Sequence, residues 1–253
     1  MKLKSIKCTF KTMLAAGLAV ASLTAATLAQ ASIVLNGTRV IYNADVSEVT
    51  VKLGNQGQSP ALAQAWIDNG DPKAAPSTIA TPFTVTPPVS RIDPGKAQTL
   101  RIFYMGDALP KDRESVFYLN VLEIPPKPAA DEASPNRLQL AFRTRIKLFF
   151  RPTGLKMAVA DASKQLTWRW SHESGKPGLT VTNPTPYYIT LASFEVKDST
   201  GAVLAKSMDS AMIEPGQSKL MPVTGQVRRP GETVRFQSIN DYGGEDEGEA
   251  HVQ

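Results

Sequence analysis

The sequence predicts an all-β protein of two sandwich domains in series, and three observations carry that reading. Apolar and polar residues alternate in short runs, turn residues interrupt the runs roughly every eight to twelve positions, and no long segment repeats with the helical period. The opening run spans residues 33–42. Val49, Val51 and Leu53 then alternate with Glu48, Thr50 and Lys52, stopping at Gly54-Asn55-Gln56-Gly57. The run 62–67 carries Trp66 and stops at Asn69-Gly70-Asp71-Pro72, and a weaker run covers 83–89. Leu100, Ile102 and Tyr104 follow the turn Asp93-Pro94-Gly95, and the run 115–124 ends at Pro125-Pro126. Each stop has a steric reason, because Gly, Asn and Pro break ladders or set turn dihedrals.

With the segment 137–151 these make about seven strands, the number expected of one immunoglobulin-like sandwich. Arg151-Pro152-Thr153-Gly154 reads as a hinge. Six further runs follow, at 166–170, 179–183, 188–196, 207–213, 219–223 and 234–240. The turn Ile92-Asp93-Pro94-Gly95 has a counterpart in Ile213-Glu214-Pro215-Gly216, as a repeated sandwich would produce. The acidic end Glu245-Asp246-Glu247-Gly248-Glu249 is expected to be a solvated, flexible tail over 245–253.

Residues 1–31 read as an export signal. Lys2, Lys4, Lys7 and Lys11 precede an apolar stretch over 13–28, and Ala29-Gln30-Ala31 forms a small-x-small cleavage site that would leave Ser32 first. The apolar stretch is shorter than a spanning helix needs, so no stable membrane insertion is expected. Removing the leader takes four of 28 basic residues and none of 23 acidic ones, leaving 24 against 23. A nearly neutral chain projects no field toward nucleic acid or anionic lipid. Cys8 is the single cysteine and leaves with the leader. About 220 remaining residues can build their cores without disulfides.

Groups for catalysis are scarce. The two histidines are His172, in the expected polar turn Ser171-His172-Glu173-Ser174-Gly175, and His251, the third residue from the end. No nucleophile elbow, phosphate loop, dinucleotide fingerprint or clustered metal ligands appear, so no catalytic residue, metal or cofactor is assigned.

The segment 137–151 alternates over an expected fifteen-residue strand, with Leu138, Leu140 and Phe142 on one face and Arg143, Arg145 and Lys147 on the other. Alternation alone describes a half-buried core strand with a charged outer face. The preceding segment adds more. Leu109-Pro110-Lys111-Asp112-Arg113-Glu114-Ser115-Val116-Phe117-Tyr118-Leu119-Asn120-Val121-Leu122-Glu123-Ile124-Pro125-Pro126 resembles, without a gap, the signature of periplasmic pilus-assembly chaperones of the chaperone-usher pathway. Further resemblance lies in Leu62-Ala63-Gln64-Ala65-Trp66-Ile67, in 145–152, in Asn183-Pro184-Thr185-Pro186-Tyr187-Tyr188 and in 239–244, so that nearly the whole chain after the leader is covered in order.

The resemblance implies two immunoglobulin-like β-sandwich domains, 32–152 and 158–244, in a boomerang arrangement. It implies a periplasmic, non-enzymatic chaperone without cofactor that binds, folds and caps pilus (fimbrial) subunits by donor-strand complementation and delivers them to an outer-membrane usher. Leu138, Leu140 and Phe142 take the place of the donor side chains. Arg39 and Lys147 match the pair that binds the subunit's C-terminal carboxylate, and Glu114, Arg151 and Asp241 match an interdomain salt-bridge network. The loop 127–137 leans toward the short-loop branch of the family. An exposed apolar edge also gives the free protein a reason to self-associate. A surface adhesin or carbohydrate-binding sandwich is the competing reading, and it would need no role for the Leu138, Leu140 and Phe142 face.

Overall fold

A computed structural model describes residues 32–106, 108–126, 140–173, 176–225 and 231–253. The first sandwich packs two sheets. One has the order β1-β3-β7-β5, from Ile33–Leu35 (β1), Glu48–Asn55 (β3), Ala97–Tyr104 (β7) and Phe83–Thr86 (β5). The other has the order β2-β9-β8-β4-β6, from Arg39–Asn43 (β2), Phe142–Arg151 (β9), Ser115–Ile124 (β8), Ala61–Asp68 (β4) and Val89–Ile92 (β6).

Strand alternation sets the core. Ala61, Ala63, Ala65 and Ile67 of β4 and Phe117, Leu119 and Val121 of β8 point inward, opposite Val51, Leu53, Leu100 and Ile102. An aromatic cluster closes one end, with Phe83 and Phe117 rings 5.0 Å apart and Tyr104 and Phe150 rings 4.5 Å apart.

Two runs expected as single strands are each divided between the sheets. Run 33–42 breaks at Gly37, whose φ of 131° suits glycine, so that β1 pairs β3 while β2 pairs β9. Pro87-Pro88 breaks the other, sending β5 to β7 and β6 to β4. The expected fifteen-residue strand also shortens: β9 begins at Phe142, Leu140 is exposed and precedes it, and Leu138 lies outside the described residues, as does the loop 127–137.

The second sandwich packs Thr167–Glu173 (β10), Lys176–Thr182 (β11) and Ser218–Pro222 (β15) against a six-stranded sheet. That sheet runs β16-β13-β12-β17-β18, from Thr224–Gly225 (β16), Val203–Ser207 (β13), Ile189–Lys197 (β12), Thr233–Ile239 (β17) and Glu245–His251 (β18), with Ala211–Ile213 (β14) also on β12. Trp168 is fully buried between Phe194 and Phe236, at ring distances of 5.2 and 5.4 Å.

The echoed turns are the same structural corner in both sandwiches. Asn55 Nδ2 donates to the carbonyls of Ser59 and Ile92, while Asn183 Nδ2 donates to those of Tyr187 and Ile213. Gly95 N donates to the Asn55 carbonyl at 2.9 Å, and Gly216 N to the Asn183 carbonyl at 2.8 Å. Both asparagines are buried, so each amide satisfies backbone groups that the turns would otherwise leave unpaired.

The acidic end is an edge strand rather than a flexible tail: β18 pairs β17 from Ile239↔Glu245 to Thr233↔His251, and Val252 is buried with a bridge to Trp168. Its acidic side chains line an outer strand, where charge discourages further pairing, while Val252 supplies the apolar anchor. The second sandwich thus extends to residue 252 rather than ending at 244. His172 lies within β10, paired with Pro177, rather than in a turn. Among the described residues no helix is long and apolar enough to cross a membrane.

Candidate functional site

The site grows from an incomplete pairing. One side of β9 is paired with β8 from Glu123↔Phe142 to Ser115↔Phe150. The other side is paired with β2 only from Arg39↔Lys147 to Asn43↔Arg151, in parallel. Among the described residues no strand covers that side of 142–146, so this stretch presents an open sheet edge. Its inward face carries Phe142, Thr144 and Ile146; Phe142 is 41% exposed, and Ile146 packs against the core. Leu140, 53% exposed, continues the apolar series ahead of the strand.

The outward face of the same stretch is clamped. Asp68, whose side chain is fully buried, receives Arg145 Nε at 2.8 Å and Nη2 at 2.6 Å, Asn120 Nδ2 at 2.8 Å and Gly70 N at 2.8 Å. Arg143 donates to Asn120 Oδ1 and to the Pro72 carbonyl, and its guanidinium lies over Trp66. Arg145 lies 3.5 Å from the Tyr118 ring centroid. Burial by itself raises the Asp68 carboxyl, but Arg145, Asn120 and the Gly70 amide outweigh it and hold the group below the usual carboxylate range. The open edge is therefore held by side chains on the face it does not offer.

The edge ends at two cations. Arg39 and Lys147 stand opposite each other where β2 begins to pair. Arg39 Nη1 donates to the Ile239 carbonyl at 3.0 Å, its Nε is buried without a partner, and its guanidinium lies 5.9 Å from the Phe149 ring centroid. Lys147 Nζ reaches Thr190 Oγ1 at 3.4 Å. Among the described residues neither cation forms an ion pair. Burial lowers the Arg39 pKa, with Asp241 and Glu114 pulling the other way. Burial also lowers Lys147, and the positive charges of Arg39 and Lys219 add to it. The Lys147 ammonium thus bears both burial and the charge of Arg39, and an anion placed between the two half-buried cations would relieve it.

Ile239 and Thr190 belong to the second sandwich, so the cations face a cleft between the domains. A cavity of about 420 Å³ there is lined by Arg39, Glu114, Phe149, Arg151, Tyr188 and Asp241, among others. Arg151 joins the two sandwiches. Its Nε donates to Glu114 Oε1 at 2.7 Å, and its two terminal nitrogens donate to Asp241 at 2.7 and 2.9 Å. Glu114 Oε2 accepts from Tyr188 N at 2.8 Å, and Phe149 packs on Tyr188 at 5.9 Å. Burial raises the Glu114 carboxyl above its ordinary value against the pull of Arg151. Burial disfavours the Arg151 charge, yet Asp241 and Glu114 raise its pKa well above that of an ordinary guanidinium.

The structure thus brings Arg39 and Lys147 together at one end of the open edge, places Phe142 and Leu140 along its approach, and joins Glu114, Arg151 and Asp241. Sequence reasoning missed Ile146, Asp68 and Thr190. Ile146 was legible as the next apolar residue on the inward face after Phe142. Asp68 and Thr190 have no local signal, because their partners lie 77 and 43 positions away.

Two immunoglobulin-like sandwiches with an unpaired sheet edge running to a cationic cleft define a class of proteins built to receive another polypeptide by strand addition. The chain belongs to the pilus-assembly chaperones. Residues 32–156 match the pili and flagellar-assembly chaperone, PapD N-terminal domain, and residues 161–250 match the pili assembly chaperone PapD, C-terminal domain. It is 49% identical over 225 residues to the probable fimbrial chaperone YadV of Escherichia coli, covering 88% of this chain and 90% of that one. The crystal structure of the YadV chaperone superposes with a TM-score of 0.72 at 45% identity, over 87% of this chain and all of the other. A Salmonella enterica complex of the SafA pilin with the SafB chaperone matches with a TM-score of 0.70 at 31% identity, over 88% of this chain and 96% of the matched one.

Proposed function

We propose that this protein is a periplasmic, non-enzymatic chaperone that lends the open edge of β9 to pilus subunits and passes them to an outer-membrane usher. The observation that carries the reading is that the stretch 142–146, open on one side, runs directly into Arg39 and Lys147, two cations that form no ion pair among the described residues. A subunit strand added here places its C-terminal carboxylate between them. Because β9 runs from the open stretch toward Lys147, a client whose terminus sits at Lys147 runs parallel to β9, in line with β2. Phe142 and Ile146, with Leu140 and Leu138 upstream, then point toward the client's core.

Apolar contact and backbone pairing supply most of the affinity. Three large apolar groups removed from water are worth roughly 5–9 kcal/mol before ordering costs, against about 1.5–3 kcal/mol for each charge-assisted bond to the carboxylate. The cations set the register. A slip of one residue would turn every client side chain to the wrong face, and only one register brings the terminus to Arg39 and Lys147. Arg151 with Glu114 and Asp241 fixes the angle of the cleft in which the terminus is held. The leader 1–31 directs export and is removed.

Co-expression of Arg39→Ala and Lys147→Ala variants with a cognate subunit tests the anchor. The folded variants are expected to recover little or no subunit. Recovery at wild-type yield with the double variant would refute the carboxylate anchor.

A further inference from the structure

The carboxylate of Glu123 is buried on the inward face of β8, at 8% exposure, between Ala63 of β4 and Phe142 of β9. Its contacts all go to the start of the described chain. Ser32 N lies 3.0 Å from Oε2 and 3.3 Å from Oε1, Ile33 N donates to Oε2 at 3.0 Å, and the Ser32 hydroxyl donates to Oε1. Among the described residues no cation touches Glu123. Neutral donors stabilise a buried carboxylate, and a cation carrying further N–H groups binds it more strongly than a neutral donor does.

The segment opposite it is held in place. Gln56 N donates to the Ser32 carbonyl at 2.8 Å, Ile33 is buried and pairs with Asn55, and a Cβ on Gly57 would stand 2.5 Å from Ser32 Cβ. Both Glu123 oxygens lie within reach of the Ser32 nitrogen, yet a peptide N–H has one hydrogen to give, whereas an α-ammonium has three. Cleavage after Ala31 would create that ammonium on this atom.

We propose that Glu123 is the seat of the α-ammonium that leader removal leaves on Ser32, so that processing supplies the missing cation of a buried ion pair. The proposal rests on the reading of 1–31 as a cleaved leader. Its position gives it a consequence for the site, because Phe142, the first residue of the open edge, is the cross-strand neighbour of Glu123. The rim beside the client-binding edge is then complete only in the processed chain. The groups contacting the nitrogen and its segment are Glu123 from β8, the Ser32 hydroxyl, Asn55 at the end of β3, and Gln56 and Gly57 after it; Glu123 is the one carboxylate among them.

The test compares the full chain beginning at Ser32 with the same chain retaining Gln30-Ala31 in front, each with and without Glu123→Gln. The α-amino group of the Ser32-first chain is expected to titrate above the ordinary range of about 7.7–8.0. At pH 7 its unfolding constant in urea should be at least about tenfold smaller than that of the extended chain. A pKa raised by folding gives stability that is full below about pH 8 and lost as pH rises through the folded value, so the two chains should converge at high pH. Glu123→Gln should abolish the difference; if that variant does not fold, the wild-type pair decides alone. The proposal is overturned by an amine that titrates in the ordinary range, by equal unfolding of the two chains at pH 7, or by terminal sequencing of exported protein that begins at a residue other than Ser32. None of these readouts requires a client, so they stand apart from the outcome of the capture experiments.

Discussion

Lys147→Met should move client binding and intrinsic stability in opposite directions. Met keeps the apolar stem and removes the ammonium. For a client ending in a free carboxylate, the loss of one charge-assisted hydrogen bond is worth about 1.5–3 kcal/mol, or roughly a ten- to 150-fold weaker Kd. The free chaperone should gain stability, because the ammonium is half-buried, its pKa is lowered by burial and by Arg39 and Lys219, and its partner among the described residues is the neutral Thr190 Oγ1 at 3.4 Å. A lysine whose folded pKa lies below its unfolded value binds fewer protons when folded. Stability of the wild-type chain therefore rises with pH through the window between those two values, and the Met variant lacks that rise. The assay is titration calorimetry with a subunit bearing a free C-terminus and with the same subunit amidated there, together with urea unfolding of the free chaperone. Equal affinity losses for the two clients on Lys147→Met, or a lower urea midpoint of the free variant, would refute the carboxylate anchor.

Other outcomes follow from the same geometry. Asp68→Asn should cost about 2–3 kcal/mol, below the usual cost of breaking a buried pair because both arginines keep contact with water, and should speed amide exchange at Thr144 and Ile146. In the wild-type chain the stability due to Asp68 is present above the ordinary carboxylate pKa and lost as pH falls through the lowered folded value; the acid limb of a urea series should show that loss, and Asp68→Asn should not. Arg151→Met leaves Glu114 buried with only a backbone donor, so stability should drop by about 3 kcal/mol and the domains should separate, read as a larger radius of gyration in solution scattering. Removing residues 245–253 should destabilise the second sandwich by at least the roughly 1.5–3 kcal/mol of Val252 burial, detected as early protease cleavage within 160–240. Phe142→Asp should leave the chaperone folded, since the ring is 41% exposed, while reducing client recovery by about tenfold or more.

The all-β class and the division into two sandwiches were legible because each rests on local chemistry: alternation within a strand, and Gly, Pro or Asn at its stops. The echo of Ile92-Asp93-Pro94-Gly95 in Ile213-Glu214-Pro215-Gly216 was a weak signal in the sequence and marks the same asparagine-centred corner in the structure. What alternation could not show is which sheet a strand joins. Runs 33–42 and 83–89 each read as one strand, yet Gly37 and Pro87-Pro88 within them are where the chain crosses from one sheet to the other. The acidic end misled for a related reason. Charge density suggested solvation, and an edge strand is itself largely solvated, so Glu245 and its neighbours are compatible with a ladder whose far end Ala250 and Val252 anchor on the core.

The crossing at Gly37 also explains why the site exists. Had the opening run continued as one strand along β9, residues 33–38 would have covered the stretch that is now open. Because the chain leaves for the other sheet before Arg39, β2 pairs β9 only from Lys147 onward, and 142–146 stays free. The same crossing puts Arg39 at the first paired position, facing the gap beside Lys147. An exposed edge invites pairing with any extended chain, and on the proposed reading the two cations at its end favour a chain that terminates in a carboxylate. The edge would then supply general affinity for strands and Arg39 with Lys147 would select the terminus, so a variant lacking both cations should bind extended apolar peptides only weakly and without preference for a free C-terminus.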